Sequence, residues 1–449
     1  MYVVIIGMGE VGRHVVRTLE WDKHDVVVVD NDDGAIAWVE EHHDVATLKG
    51  YGAANDVLEK ANAGAADMVV AVTDHDEVNL IAALAAKQMG ARRVIARVQG
   101  SEWSGNHKDE GVSYNLLGVD VVFNPRVLLA QEIVKIAQSH GALEVVDLAN
   151  DAIEVVQMEL AEGSRLIGKG LAKLHLPRGV LVGAVVRDGQ LFIPGGADVL
   201  QPQDRVYLVG TPDKMIEAED LFTTRREANR VCIVGGGVVG ESLARGLVAT
   251  KGEVLLIEMD RARAERLAAD LPQVTVVHGD GTDLSLLNEE RIGNYDLFVS
   301  LSHEDEINLM ACLLAKRAGA SRTAALVHRP DYIDIYRQLG VDLVLSPRTV
   351  ASDHILRYCR RAELQSLTML EDGQAEILEV VAQPNSRIVG MPVRRMSLPR
   401  GSLLCAIIKP DGVIIPGGDD EVDAWDTVIV LATASARTSV AKMFRQRAL

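Results

Sequence analysis

The feature that most constrains what this chain of 449 residues can fold into is that it repeats itself. GMGEVG at Gly7–Gly12 recurs as GGGVVG at Gly235–Gly240, 228 residues later. KGYGAAND at Lys49–Asp56 answers HGDGTD at His278–Asp283, and TDHDEVNL at Thr73–Leu80 answers SHEDEINL at Ser302–Leu309, both offset by 229. Farther on, VDVVFNPR at Val119–Arg126 answers VDLVLSPR at Val341–Arg348, now offset by 222. LPRG at Leu176–Gly179 and IPGG at Ile193–Gly196 keep that offset with Leu398–Gly401 and Ile415–Gly418. The shorter offset places seven extra residues in the first copy, most simply in the polar loop Ser104–Ser113. A unit of about 225 residues is far too long for a solenoid repeat of roughly 20–50. It predicts a two-domain module duplicated in tandem.

The first part of each module alternates short β-branched strands with helical patterns. Strands are expected at Tyr2–Ile6, Val26–Asp30, Asp44–Leu48, Met68–Val72, Arg93–Val98 and Val121–Phe123. The second copy repeats them at Val231–Val234, Val254–Glu258, Val274–His278, Leu297–Leu301, Thr323–Val327 and Leu343–Leu345. Near-continuous Val and Ile predict a sheet covered on both faces, hence a doubly wound α/β domain with parallel strands. Helices are expected at Val11–Leu19 and Glu77–Met89, the latter with Leu80, Ile81, Leu84 and Ala85 marking one apolar face. The second part of the module reads as a small α+β domain of antiparallel hairpins: strands Ala152–Leu160, Val180–Arg187 and Arg205–Val209, and a closing helix Asp213–Leu221. Pro125 opens the helical run that leads to it. The expected boundaries are 1–140, 141–227, 228–362 and 363–449.

A G-x-G-x-x-G motif acquires meaning only between a strand and a helix, and both copies have that context. Gly7 and Gly235 allow the tight turn, Gly9 and Gly237 let a backbone approach a pyrophosphate, and Gly12 and Gly240 let helix and strand pack closely. Met8, Glu10, Val11, Gly236, Val238 and Val239 complete the two loops, whose helix N-termini present free N–H groups to phosphates. Asp30 and Glu258 each end the second strand 23 residues after the first loop glycine, where a carboxylate takes ribose hydroxyls and repels a 2′-phosphate. Gly50, Tyr51, Gly279 and Asp280 end the third strands and should flank a base. Thr73, Asp74, Ser302 and His303 end the fourth and should approach the distal ribose or phosphate, with a plain turn as the alternative for all eight. Arg13 and Arg97 put two cations near the phosphates of the first copy, where the second has Glu241 and Leu326. The first site is therefore expected to bind the more anionic nucleotide, and the second to bind weakly or to prefer a less charged one.

Charge and composition narrow the function class. Lys+Arg number 46 against 64 Asp+Glu, so a net charge of −18 argues against a nucleic-acid backbone as partner. Aromatic residues at 4% leave little for base stacking. Cys232, Cys312, Cys359 and Cys405 lie in apolar stretches without CxxC spacing, as expected of reduced core thiols in the cytoplasm. The N-terminus lacks a basic signal region, and apolar runs stop far short of the roughly 20 residues that cross a bilayer. No HExxH, GxSxG or Walker lysine occurs. His14, His24, His42 and His43 read as solvated. The acidic runs after Thr73 and Ser302 suit either a divalent cation or the offset of a helix dipole. No catalytic or metal-binding residue is assigned, and binding rather than turnover is the expected activity.

With these residues in view, the chain resembles the RCK (or KTN) domains, the family that regulates potassium conductance. GMGEVGR, VVVVD at Val26–Asp30, the GYG and GDGTD turns, the paired TDHDEVNL and SHEDEINL runs, and the small domain marked by LPRG and IPGG carry the resemblance over essentially the whole chain. The tandem of two N-terminal and two C-terminal domains is similar to the peripheral NAD-binding subunits of Trk potassium-uptake systems. The resemblance implies a regulatory subunit on the inner face of the cell membrane that assembles as a ring, expected to hold four chains. It also implies gating of a potassium-translocating membrane subunit of the TrkH or TrkG type in response to NAD(H) and, in relatives, ATP or ADP. Carried over by motif, Gly7–Val11, Asp30, Thr73, Asp74 and Arg97 form a first site. Gly235–Val239, Glu258, Ser302 and His303 form a second, with Glu241 and Leu326 departing from the first copy's pattern. An NAD-dependent oxidoreductase acting on a small substrate is the alternative.

Overall fold

A computed structural model describes residues 1–21, 24–100, 103, 111–149, 152–160, 164–223, 228–250, 252–358, 364–371 and 373–444. The first α/β part runs β1 (Tyr2–Ile6), α1 (Glu10–Trp21), β2 (Asp25–Asp30), α2 (Asp33–His42), β3 (Ala46–Lys49), α3 (Asn55–Lys60), β4 (Met68–Ala71), α4 (Asp76–Met89), β5 (Val94–Arg97), β6 (Val112–Leu116), β7 (Val119–Phe123) and α5 (Pro125–Gln138). The first small part follows as β8 (Glu144–Leu148), β9 (Ile153–Glu159), β10 (Val180–Arg187), β11 (Gln190–Phe192), β12 (Arg205–Gly210) and α6 (Pro212–Phe222). The second α/β part is β13 (Arg230–Val234), α7 (Val238–Ala249), β14 (Glu253–Glu258), α8 (Arg261–Asp270), β15 (Thr275–His278), α9 (Leu284–Glu289), β16 (Leu297–Ser300), α10 (Asp305–Arg317), β17 (Thr323–Leu326), α11 (Ile333–Gln338), β18 (Leu343–Leu345) and α12 (Pro347–Tyr358). The second small part is β19 (Leu364–Leu370), β20 (Ala375–Val381), β21 (Ser402–Lys409), β22 (Gly412–Ile414), β23 (Thr427–Thr433) and α13 (Arg437–Phe444).

These elements form two compact units, and each unit draws on both repeats: Met1–Val134 with Asn229–Cys359, and Lys135–Ala228 with Arg360–Leu449. In the first unit the sheet orders are β3-β2-β1-β4-β5-β7-β6 and β15-β14-β13-β16-β17-β18. Both are parallel apart from β6, and the order reverses beside β1 and β13, as in a doubly wound fold. Alternate residues serve opposite faces. Val3 and Ile5 enter one core and Val4 and Ile6 the other, each at 0–1% exposure. Complete burial of a side chain of this size contributes about 1.5–3 kcal/mol.

Three expectations are corrected here. The helix α4 buries Asn79, Leu80, Ala82, Ala83 and Ala86, while Ile81 is 55% exposed and Leu84 and Ala85 are half-buried. Alanines let the helix lie close on β4 and β5, so its small face turns inward. The polar loop expected at Ser104–Ser113 lies partly outside the described residues, and its end enters β6, which pairs antiparallel with β7. The second copy places α11 in the corresponding stretch. Finally, His43 is not solvated: its Nδ1 lies 2.6 Å from Glu20 Oε2 and its ring 5.3 Å from Trp38.

The repeats also exchange a helix within this unit. α12 of the second copy packs on α1 of the first, so that Ala351, Ile355 and Leu356 join the core of Val3, Val15, Val16 and Leu19. The Phe123 and His354 rings lie 4.9 Å apart at a tilt of 37°, and the Tyr114 and Tyr358 hydroxyls are 3.2 Å apart.

In the second unit, two antiparallel sheets run β11-β10-β12-β9-β8 and β19-β20-β23-β21-β22. β8 and β19 were not expected from the sequence. Asp188 and Gly189, at φ 52° and 75°, make the tight turn between β10 and β11. Val155, Ala184 and Val209 share one core with Ile377, Cys405 and Leu431. Cys232, Cys312 and Cys405 are free and buried, and burial pushes the Cys405 thiol up to about 12. Cys359 lies outside the described residues.

Candidate functional site

The first crevice opens at the carboxyl edge of the first sheet, where β1, β4 and β5 end side by side and α1 begins. Gly7 leaves β1 at φ 100°, and a Cβ there would fall 2.7 Å from the Thr73 amide nitrogen. A Cβ on Gly12 would fall 2.1 Å from the Gly7 carbonyl oxygen, so only glycine lets α1 start this close to the strand. Gly9 differs. Its Cβ would meet nothing within 4 Å, which leaves an open face on the loop beside the first turn of α1. The N–H groups of that turn have no partners inside the helix and carry its positive dipole end. Met8 and Val11 are buried beneath the loop, while Gly9 and Glu10 are exposed.

Asp30 holds this loop in place. Its Oδ2 accepts the Met8 N–H at 2.6 Å and its Oδ1 accepts the Asp32 N–H at 2.9 Å. Each carboxylate oxygen retains acceptor capacity for a hydroxyl of a bound sugar. Gly50 is required by packing, since its Cβ would lie 2.6 Å from Val57 Cγ2, and Tyr51 next to it is 54% exposed.

At the end of β4, the buried Asn79 organises the turn. Its Oδ1 accepts from the Thr73 N–H and Oγ1 at 2.8 and 2.7 Å, and its Nδ2 donates to the Thr73 and Arg97 carbonyls. Arg97 Nη2 donates to the Thr73 carbonyl at 2.9 Å and to Asp74 Oδ1 at 3.2 Å. The Arg97 Nε is buried with no hydrogen-bond partner, an unused donor at the strand ends. Burial lowers the pKa of this guanidinium. Arg13 lies over Trp38 at 4.3 Å and donates from Nε to the Met8 carbonyl.

The second crevice repeats the backbone. Gly235 has φ 99°, a Cβ on Gly240 would meet the Gly235 oxygen at 2.0 Å, and Gly237 again faces open space. Glu258, 5% exposed, accepts the Gly236 and Asp260 N–H groups at 2.7 Å each. Asn308 repeats Asn79, binding the Ser302 N–H at 2.7 Å and the Ser302 and Leu326 carbonyls at 2.9 Å. Gly279 packs against Leu286, Asp280 Oδ1 accepts from Thr282, and His303 is exposed. Val238 is half-buried and Val239 buried, and Leu326 is 4% exposed where Arg97 stands in the first copy. The acid Glu241 is answered by Arg245 at 2.9 Å and Arg266 at 3.2 Å. Burial works to raise its pKa, but the two arginines hold it below the usual value. The second loop is therefore less anionic than Glu241 alone suggested.

Asn79 and Asn308 are site-forming residues that the sequence does not single out, and Asp76 and Asp305, expected only as a cation or dipole site within the acidic runs, form the site in another way. Asp76 accepts the Gln99 and Gly100 N–H groups, and Asp305 accepts those of His328 and Arg329. The acidic runs thus spend these carboxylates on tying down the loops after β5 and β17. The available signal was the Asp and Asn common to TDHDEVNL and SHEDEINL at matching positions.

Comparison with known proteins matches this architecture. The TrkA-N domain model fits residues 3–125 and 231–347, and the TrkA-C domain model fits 155–223 and 377–445. The chain belongs to the TrkA family. A Trk system potassium uptake protein TrkA homolog of Archaeoglobus fulgidus is 35% identical over 99% of this chain and 100% of its own length. The Trk system potassium uptake protein TrkA of Haemophilus influenzae is 32% identical over 100% of this chain and 99% of its own. This TrkA-family chain also shares its fold with the GsuK RCK domain, at a TM-score of 0.62 and 19% identity over 99% of this chain and 94% of the other. The GsuK channel bound to NAD superposes with a TM-score of 0.63 at 19% identity, covering 99% of this chain and 78% of that one. Among the described residues, no helix of this TrkA-family chain is long and apolar enough to cross a membrane.

Proposed function

We propose that this chain is the nucleotide-sensing regulatory subunit of a potassium-uptake system, and that it binds rather than transforms its nucleotide. What carries the reading is the matched pair of glycine-loop crevices, each with an open loop face and a strand-end acid, in a chain whose relatives are named for potassium uptake. NAD(H) is the ligand proposed for the first site, with ADP or ATP as competitors for the same diphosphate positions. The GsuK channel, whose fold this chain shares, binds NAD.

The residues present fit a dinucleotide. Gly9 and the first turn of α1 would take the diphosphate, and Arg97 would offer its unused Nε to the same region. Asp30 would accept ribose hydroxyls while still holding the loop, and exposed Tyr51 would cover the base. Gly237, Glu258 and Ser302 would repeat this in the second crevice. The nucleotide supplies a charged, extended ligand that spans loop and strand ends. The protein reads it as a difference in affinity between two arrangements of its units, which is the only way a ligand shifts an equilibrium. The small sheets after each crevice spend their inner faces on one another, which favours assembly over a substrate pocket. The partner proposed is a potassium-translocating membrane subunit of TrkH or TrkG type, met on the cytoplasmic face by a ring of four chains.

The test is potassium uptake at limiting external potassium in cells lacking the chain, complemented with wild type or Gly9→Asp. The aspartate side chain enters open space, so the fold is retained while anions are repelled. Restoration by wild type and failure of the folded variant is the expected result. Wild type that leaves uptake unchanged beside a compatible membrane subunit, or steady NADH turnover by the purified chain, would overturn the reading.

A further inference from the structure

Arg348 is the first residue after the helix-opening Pro347, at the carboxyl edge of the second sheet, yet its guanidinium pairs with Glu10 of the first glycine loop. The contact follows from the helix exchange, because α12 packs on α1 through Ala351, Ile355 and Leu356. Glu10 opens α1, beside the free N–H groups that would meet phosphate. An unpaired carboxylate there would oppose any anion. The pair is formed in one direction only. Arg126 is the counterpart of Arg348, but the counterpart of Glu10 is Val238, which offers no charge.

We infer that Arg348 completes the first nucleotide site from the second repeat, holding Glu10 when the loop is empty and turning one N–H to the diphosphate when it is filled. This rests on the reading that the first loop binds a nucleotide diphosphate. A guanidinium suits the role because its fork of five donors can serve a carboxylate and a phosphate together. The first site would then be a composite of both repeats, and nucleotide binding there would tighten α12 on α1. The second site would have no equivalent, so the two crevices would report to the fold differently.

The test is calorimetric titration of the full chain carrying Gly237→Asp, which blocks the second loop without a steric clash. NADH and ADP are the probes, since they share only the adenosine diphosphate. Arg348→Gln should weaken both by about 10-fold or more, the range of a lost charge-assisted hydrogen bond. Arg348→Lys, which keeps charge and packing, should fall between parent and Gln, and it serves if the Gln variant unfolds. Glu10→Gln/Arg348→Gln should recover only part of the loss. Full recovery would overturn direct contact with phosphate. Unchanged affinity in Arg348→Gln overturns the composite site alone, whereas a parent that binds neither probe overturns the nucleotide reading with it.

Discussion

The two repeats agree in their backbone devices and part company in their charges. Both loops use a positive-φ glycine after the first strand, a strand-end acid that accepts the N–H of the loop's second residue, and a buried asparagine that ties the fourth strand to the fifth. The first loop then carries Arg13, Glu10 with Arg348, and Arg97, whereas the second carries paired Glu241, uncharged Val238 and buried Leu326. Duplicated geometry preserves what the main chain needs, because a Cβ 2 Å from a carbonyl is intolerable in either copy. Side chains at the mouth face no such constraint and have diverged. The second unit shows the same asymmetry. Glu371 of the second copy accepts from Arg205 at 2.9 Å, from Tyr207 at 3.2 Å and from Gln157, all in the first copy. The counterpart of Glu371 is Ala149, and those of Arg205 and Tyr207 are Thr427 and Ile429, so no reciprocal network exists.

The largest effect should come from breaking that one-sided network. Glu371→Ala leaves the Arg205 guanidinium, the Tyr207 hydroxyl and Gln157 without their shared acceptor in a mostly buried contact. Removing one partner of such a group costs about 2–3 kcal/mol. Denaturant unfolding should show it, and a loss below about 0.5 kcal/mol would mean that the contact is solvated and unimportant. Thr427→Ala, at the counterpart of Arg205, should do little, because Ala149 stands where its acid partner would be.

Next in size is the conversion of one crevice toward the other. Arg97→Leu gives the first copy the residue of the second, removing the donor to the Thr73 carbonyl and to Asp74. On the reading that this arginine meets phosphate, NADH and ADP should bind about 10- to 50-fold more weakly at the first site. Equal affinity before and after would show that charge at the strand ends is not what separates the crevices.

How much of this was readable in the sequence depends on the range of the interaction. Glycine loops, strand-end acids and the Asp188-Gly189 turn are local, so motif and spacing place them correctly. Asn79 escaped notice, and Asp76 was read only as part of an acidic run, because their partners, Arg97 at the end of β5 and Gln99 in the loop after it, are far along the chain and only the fold brings them together. The inward face of α4 was misread because the sheet selects alanine for close approach, while hydrophobicity alone selects Ile81. The pairs Glu10–Arg348 and Arg205–Glu371 span the repeats, and no periodicity encodes them.

The smallest expected effect tests the same asymmetry through pH. Gln157 of the first copy has Glu379 as its counterpart, on β20 between Ser366 and Ile429. Burial pushes the Glu379 carboxyl above its usual value. The folded chain therefore keeps this proton to higher pH than the unfolded chain, whose glutamates titrate near about 4.3. Stability is undiminished below that value and declines as pH rises through the folded one, since the folded state binds more protons across the window. Glu379→Gln copies the first repeat and removes the charge that must be buried. It should raise the melting temperature slightly at pH 7, by about 1–3 °C for a unit of this size, and not at all near pH 4. A gain that is the same at both pH values would assign it to packing, and the difference between Gln157 and Glu379 would then have nothing to do with charge.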